Sequence, residues 1–189
     1  MTLDSVRGHL REHFGVRPDS ASVTFLGIEP IEVLRFATGA LVDYVSLGCS
    51  RHPMTDPSQV VVDPLRGPRA EVVLRLRDPG PVSGLARSMA VLAATPAVDG
   101  VVLVADALID LGSPLWVAAP FTAVLLGRSD IPDLTLPPPS DAVRFLAATP
   151  ITATEAAWVR LKGSEAMRQA WEHDGVDVLD PNRPAAQPH

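Results

Sequence analysis

Cys49 and His52 stand three apart in the string GCSRHPM, and a thiol beside an imidazole is the pair from which a nucleophile and its base are made. Such a pair needs hydrogen-bond reach and a third group to orient the base, and the sequence offers no third partner. As metal ligands the two are also short of company. A zinc site takes three or four donors, and no second Cys/His pair is spaced to supply them. The ordinary alternative is a small half-buried thiol at a strand end next to a solvated loop histidine. His9 and His13 are four apart and share a helix face, but Glu12 is at the wrong offset for the His-Glu-x-x-His arrangement, so a polar helix face accounts for them equally. Asp106 and Asp110, in ADALID, are candidates for paired acid–base carboxylates. That work needs a pocket holding the two in different environments; otherwise they are solvated turn residues. The chain has no Gly-x-Ser-x-Gly elbow, phosphate-binding loop or dinucleotide glycine fingerprint, which weighs against the common hydrolases, NTPases and dehydrogenases. No catalytic residue, metal or cofactor is assigned.

The composition narrows the class further. The 189 residues are 47% hydrophobic, enough for one domain with a sizeable core. A lone cysteine forms no internal disulfide, which fits a reducing compartment. The opening MTLDSVRGHLREHF lacks the apolar core of a signal peptide, and no run approaches the ~18 apolar residues of a membrane span. The expected location is therefore cytoplasmic. A net charge of −6 with no basic footprint argues against nucleic acid as a partner. Basic residues are nearly all arginine, with Lys162 the sole lysine, and this points to a high-GC bacterial source.

The elements that position these residues read as an α+β domain. Leu3, Val6, Leu10 and Phe14 share one face of an opening helix ended by Gly15 and Pro18. Strands are expected at Val23–Ile28, Ile31–Ala37 and Val42–Leu47, followed by a proline-rich loop, 48–68, with a short edge strand at Gln59–Val62. Arg69–Arg77 (RAEVVLRLR) is the clearest strand. Val72, Leu74 and Leu76 point inward, while Glu71, Val73, Arg75 and Arg77 form a largely solvated face. A helix over Val82–Thr95 stops at Pro96, and the Asp99-Gly100 turn leads to a buried strand at Val101–Val104. Phe121–Leu126 and Val143–Thr149 are further strands, separated by the extended loop Ile131–Pro139. Pro150 ends the last one. Thr152 and Glu155 have capping-box spacing for a helix over Ala153–Lys162 closed by Gly163, and Glu165–Asp174 follows with Ser164 as N-cap. The reading is a single domain over 1–179 and a flexible tail over 180–189.

In this order the chain resembles the suppressor-of-fused-like domain family. The resemblance rests on Gly48-x-Ser50 with Pro53-Met54, the Glu-Val-Val-Leu-Arg-Leu strand beginning at Glu71, the Asp99-Gly100 turn and Gly112. It continues through Phe145-Leu146, Pro150-Ile151-Thr152 with Glu155, Gly163, and Asp180-Pro181-x-Arg183. It implies a mixed, mostly antiparallel central sheet packed between helices, a suppressor-of-fused-like α/β sandwich, and no known catalysis. Animal relatives hold a transcription factor, partly by pairing with an extended peptide, whereas bacterial relatives are often single-domain and some are thought to neutralise toxins. The second domain of the animal proteins is absent from this sequence, so no binding residue is carried over from them.

The functional expectation is a non-enzymatic protein-binding module. An exposed sheet face or strand edge would meet the partner, with Arg75, Arg77 and Trp116 adding selectivity. Two alternatives stand beside it: an immunity protein whose acidic balance complements a basic toxin, and an uncharacterised enzyme using Cys49/His52 or Asp106/Asp110.

Overall fold

Local signals set the element boundaries in the computed structural model, which describes residues 1–187. In chain order these are α1 (Thr2–Phe14), β1 (Asp19–Val23), β2 (Ile31–Thr38), β3 (Leu41–Leu47), a 3₁₀ turn (Cys49–Arg51), β4 (Arg69–Arg77), α2 (Leu85–Asp99), β5 (Leu108–Asp110), β6 (Phe121–Arg128), β7 (Val143–Thr152), α3 (Ala153–Lys162) and α4 (Ser164–His173). The capping box forms as its spacing predicts: the Thr152 hydroxyl accepts from the Glu155 N–H, and Glu155 accepts from the Thr152 N–H. Gly15 closes α1 in the left-handed conformation that its lack of a Cβ permits.

The strands make one seven-stranded sheet in the order β1-β2-β3-β4-β7-β6-β5. Every neighbouring pair is antiparallel except β4 with β7. The fold is α+β with a mixed, mostly antiparallel sheet between helices, and β4 is its central strand. α2 packs on one face, where Leu85, Met89 and Leu92 meet Val72, Leu74, Leu76 and Val124. The other face carries two separate covers. Val6 and Leu10 of α1, with Ile131 and Leu136, lie over Leu34, Phe36, Val45, Val143 and Phe145. Ala156, Val159, Met167 and Trp171 of α3 and α4 lie over Ala123, Leu125 and Ile151.

Several expectations are corrected. The first strand is Asp19–Val23, not Val23–Ile28; residues 24–30 turn back so that Val23 pairs with Ile31. Neither Gln59–Val62 nor Val101–Val104 forms a strand, and Val60, Val61, Val62, Val101 and Val104 are exposed. Pro96 does not stop α2 but sits in its last turn. There its missing N–H frees the Leu92 carbonyl, which accepts the Thr95 hydroxyl at 2.8 Å. Pro150 does not end β7. The β4 ladder already stops at Ala147, so the missing N–H costs no β4–β7 bond. The polar face expected for β4 is largely covered, since Glu71 and Val73 are buried. Glu71 accepts from Gly48 N–H, Ser50 N–H and the hydroxyls of Ser46 and Ser50, and so fixes the turn after β3.

The expected flexible tail is docked over 180–187, while 188–189 lie outside the described residues. The buried Arg183 guanidinium donates to both Glu155 oxygens at 2.9 and 3.0 Å and to the Pro150 carbonyl at 2.9 Å. It also lies over the rings of Phe121 and Trp171. Burial raises the Glu155 pKa, but Arg183, Thr152 and Trp171 donate to it and hold it below the ordinary carboxyl value of 4.5. A carboxyl held low in the folded state contributes stability above its unfolded pKa and loses it as pH falls through the folded value. Arg183→Met is expected to cost about 3–5 kcal/mol in urea unfolding at neutral pH, because it strands a buried carboxylate. Glu155→Gln is expected to flatten the acid limb of the stability profile. A loss below about 1 kcal/mol for Arg183→Met would contradict this reading.

Candidate functional site

The residues singled out for chemistry do not assemble into a reaction centre. Cys49 is packed partly into the α2-side core. Burial, and after it the nearby Glu71, pushes its thiol well above the usual cysteine range, the reverse of an activated nucleophile. His52 is exposed and its Nε2 lies 2.9 Å from Glu29, whose carboxyl is held low chiefly by that bond. His9 and His13 take different partners: His9 Nε2 is 2.7 Å from the Pro132 carbonyl and its ring stacks on Phe145, while His13 meets Phe14 edge-on. Asp106 pairs with Arg168, and Asp110 pairs with Arg160 and accepts from the Gly112 N–H. Among the described residues, no three His, Cys, Asp or Glu side chains gather as a metal would need.

What the fold does leave open is a strip of the sheet face between its two covers. Side chains alternate along β7, and its odd-numbered residues face this side. Val143 and Phe145 lie beneath α1, Ile151 lies beneath α3 and α4, and Ala147 and Thr149 between them are only half-buried. With Val73 and Arg75 of β4, Asp43 of β3, Asp130, and Val178 and Leu179 of the tail, they line a cleft of about 210 Å³. The tail wall is fixed by the Arg77 N–H, which donates to the Leu179 carbonyl at 2.8 Å.

Arg75 organises the polar side of this cleft. Its Nε donates to Asp43 Oδ1 at 2.8 Å and its terminal nitrogens reach Asp130 at 3.3 Å. Burial draws the guanidinium down, but Asp43 and then Asp130 carry it above its ordinary value. Asp43 is buried, and its Oδ2 has no hydrogen-bond partner. Burial pushes the Asp43 carboxyl up, against the pull of Arg75. A buried carboxylate oxygen without a donor is a costly arrangement.

Of the three residues expected to meet a partner, Arg75 therefore lines the cleft. Arg77 lies at its end, half-exposed and paired with Asp177 at 3.1 Å. Trp116 is corrected: it is buried on the opposite face, against Phe121 and the α2 core. Asp43 escaped the sequence reading because an aspartate within VDYVSL looks like the solvated member of an alternating strand. The sheet has two free edges, β5 and β1, and all of β1 but Val23 is exposed.

The sequence model described as suppressor of fused protein matches residues 27–184. No curated protein gives a significant match. Among solved structures, a suppressor of fused homologue from Neisseria gonorrhoeae is similar over 96% of this chain and 94% of its own, with a TM-score of 0.68 and 19% identity. The Sufu–Fu complex is similar over 97% of this chain and 91% of the matched chain, with a TM-score of 0.71 and 14% identity. Drosophila Suppressor of Fused is similar over 97% of this chain but 50% of its own length, with a TM-score of 0.68 and 15% identity. At these identities the likeness is one of fold.

Cys49 is expected to react with a maleimide at neutral pH more slowly than a free thiol does, and to reach the free-thiol rate on unfolding. Faster labelling in the folded protein would restore the Cys49/His52 reading.

Proposed function

We propose, from the premise that this chain belongs to the suppressor of fused protein family, that it is a non-enzymatic protein-binding module whose recognition surface is the open strip of sheet between α1 and the tail. The observation that carries this reading is the buried, unpartnered Asp43 Oδ2 in a cleft walled by Val73, Ala147, Thr149 and Leu179. The cleft is of a size for one or two side chains. A partner segment that seats an apolar side chain there and brings a donor to Asp43 removes an unsatisfied acceptor from the free state. Arg75 and Arg77, paired with Asp43, Asp130 and Asp177, give its edge a polar, charged character that selects among such segments. That one structure of this fold is a Sufu–Fu complex supports a protein partner for the module. The free edge of β1 is the weaker reading, since its unpaired backbone groups are exposed to water and carry no burial cost.

Binding is then linked to protons. The free Asp43 carboxyl sits above its ordinary value, and a donor on Oδ2 favours the ionised form. Affinity therefore rises with pH through the Asp43 titration and levels off above it. Peptides selected on the wild-type domain by display are expected to bind Asp43→Asn roughly tenfold more weakly, without that pH dependence. Ala147→Trp, which fills the strip, is expected to abolish their binding while leaving the circular dichroism unchanged. Peptides that bind both variants as well as wild type would exclude the cleft.

A further inference from the structure

Exposed apolar side chains are concentrated elsewhere, on the α2 side of the sheet. Among the described residues, seven of the twelve large exposed apolar side chains fall in two short segments: Val60, Val61, Val62 and Leu65 in one, Val98, Val101 and Val104 in the other. Val60 is 99% and Val61 81% exposed, so these are not side chains half-tucked into the core. The chain leading into the first segment is held against the second. The Pro57 ring packs so closely on Gly100 that a Cβ there would sit 2.7 Å from it, and the Leu103 N–H donates to the Met54 sulfur at 3.3 Å. Soluble chains rarely gather this much apolar surface without covering it. Three consecutive β-branched residues also form the kind of segment that becomes a strand once a neighbour pairs with it.

The charges around the patch indicate what covers it. Asp56, Asp63 and Asp99 are exposed at its rim, and none is in an ion pair among the described residues. Asp56 accepts from Ser58, and Asp63 from the Leu65 and Arg66 amides; these bonds hold both carboxyls below their ordinary values and so fully charged. Arg66 flanks the first segment, and the buried Arg69 guanidinium donates to the Leu65 carbonyl. A second copy of the chain laid patch to patch would set like-charged rims against each other, and an anionic lipid surface would be repelled in the same way.

We propose that the valine patch is a second docking surface, separate from the cleft, which takes an extended apolar segment of another protein flanked by arginine or lysine. Apolar burial supplies the attachment, and the three carboxylates select the basic flanks.

The test uses the full chain, ¹⁵N-labelled, and two synthetic probes with the same alternating Val/Thr core, one flanked by Arg and Lys and one by Glu. The basic-flanked peptide is expected to shift the resonances of 60–65 and 98–104 and to bind roughly tenfold more tightly than its acidic twin. Val61→Glu is expected to weaken it by a similar factor, and Asp63→Lys with Asp99→Lys to reverse the preference between the peptides. Asp43→Asn should leave this binding unchanged. The proposal is overturned by equal affinity for the two peptides, by shifts elsewhere or none, by binding to anionic phosphatidylglycerol vesicles instead, or by self-association of the free chain through these residues.

Discussion

The Glu155–Arg183 pair ties together more of this molecule than any other contact. One carboxylate caps α3 through the Thr152 N–H, receives the Trp171 indole from α4, and takes both arms of a guanidinium that arrives 28 residues later. The same guanidinium donates to the Pro150 carbonyl at the end of β7. Two charges buried together cost much of what their attraction returns. What the pair secures is geometry: β7, α3, α4 and the returning tail have one mutual arrangement in which the Glu155 carboxylate and both terminal nitrogens of Arg183 find partners. That arrangement places Val178 and Leu179 beside Arg77, and so builds one wall of the cleft.

A second buried carboxylate does comparable work at the other end of the central strand. Glu71 gathers the Gly48 and Ser50 amides and two serine hydroxyls, while Arg69, two residues earlier, donates to the carbonyls of Ser50, Arg51 and Leu65. Gly48 must be glycine here: its φ is +149° and a Cβ would stand 2.8 Å from Ile31 Cδ1. Both ends of the sheet are thus pinned by polar networks. The middle of one face is left between its two covers, with Arg75 shared between Asp43 and Asp130 and one aspartate oxygen waiting for a donor.

Much of this frame was legible in the sequence. The Arg69–Arg77 strand, the α3 capping box and the opening helix follow from alternation, cap spacing and a 3.6-residue stripe, which are local properties. The misreadings share a cause in long-range packing. Glu71 and Val73 look solvated because period-two alternation carries no information about what α1 and the 131–136 loop lay over β4. Arg183 looks like part of a loose tail because its partner lies 28 positions away, although Pro150-Ile151-Thr152, Glu155 and Asp180-Pro181-x-Arg183 were the blocks that carried the family resemblance. Val101–Val104 reads as a buried strand from its apolar run and Gln59–Val62 as a short edge strand, yet the sheet offers them no neighbour. Trp116, in a glycine- and proline-rich stretch, fits a surface anchor or a core residue by its sequence, and it is core.

The open strip of sheet is the surface proposed to meet the partner of this domain. A crystal structure of the chain with its physiological partner tests that most directly. The expected result is a partner side chain seated between α1 and the tail over Ala147 and Thr149, with a donor in hydrogen-bond range of Asp43 Oδ2. A complex in which that oxygen remains unpartnered and the strip stays open to solvent would contradict it.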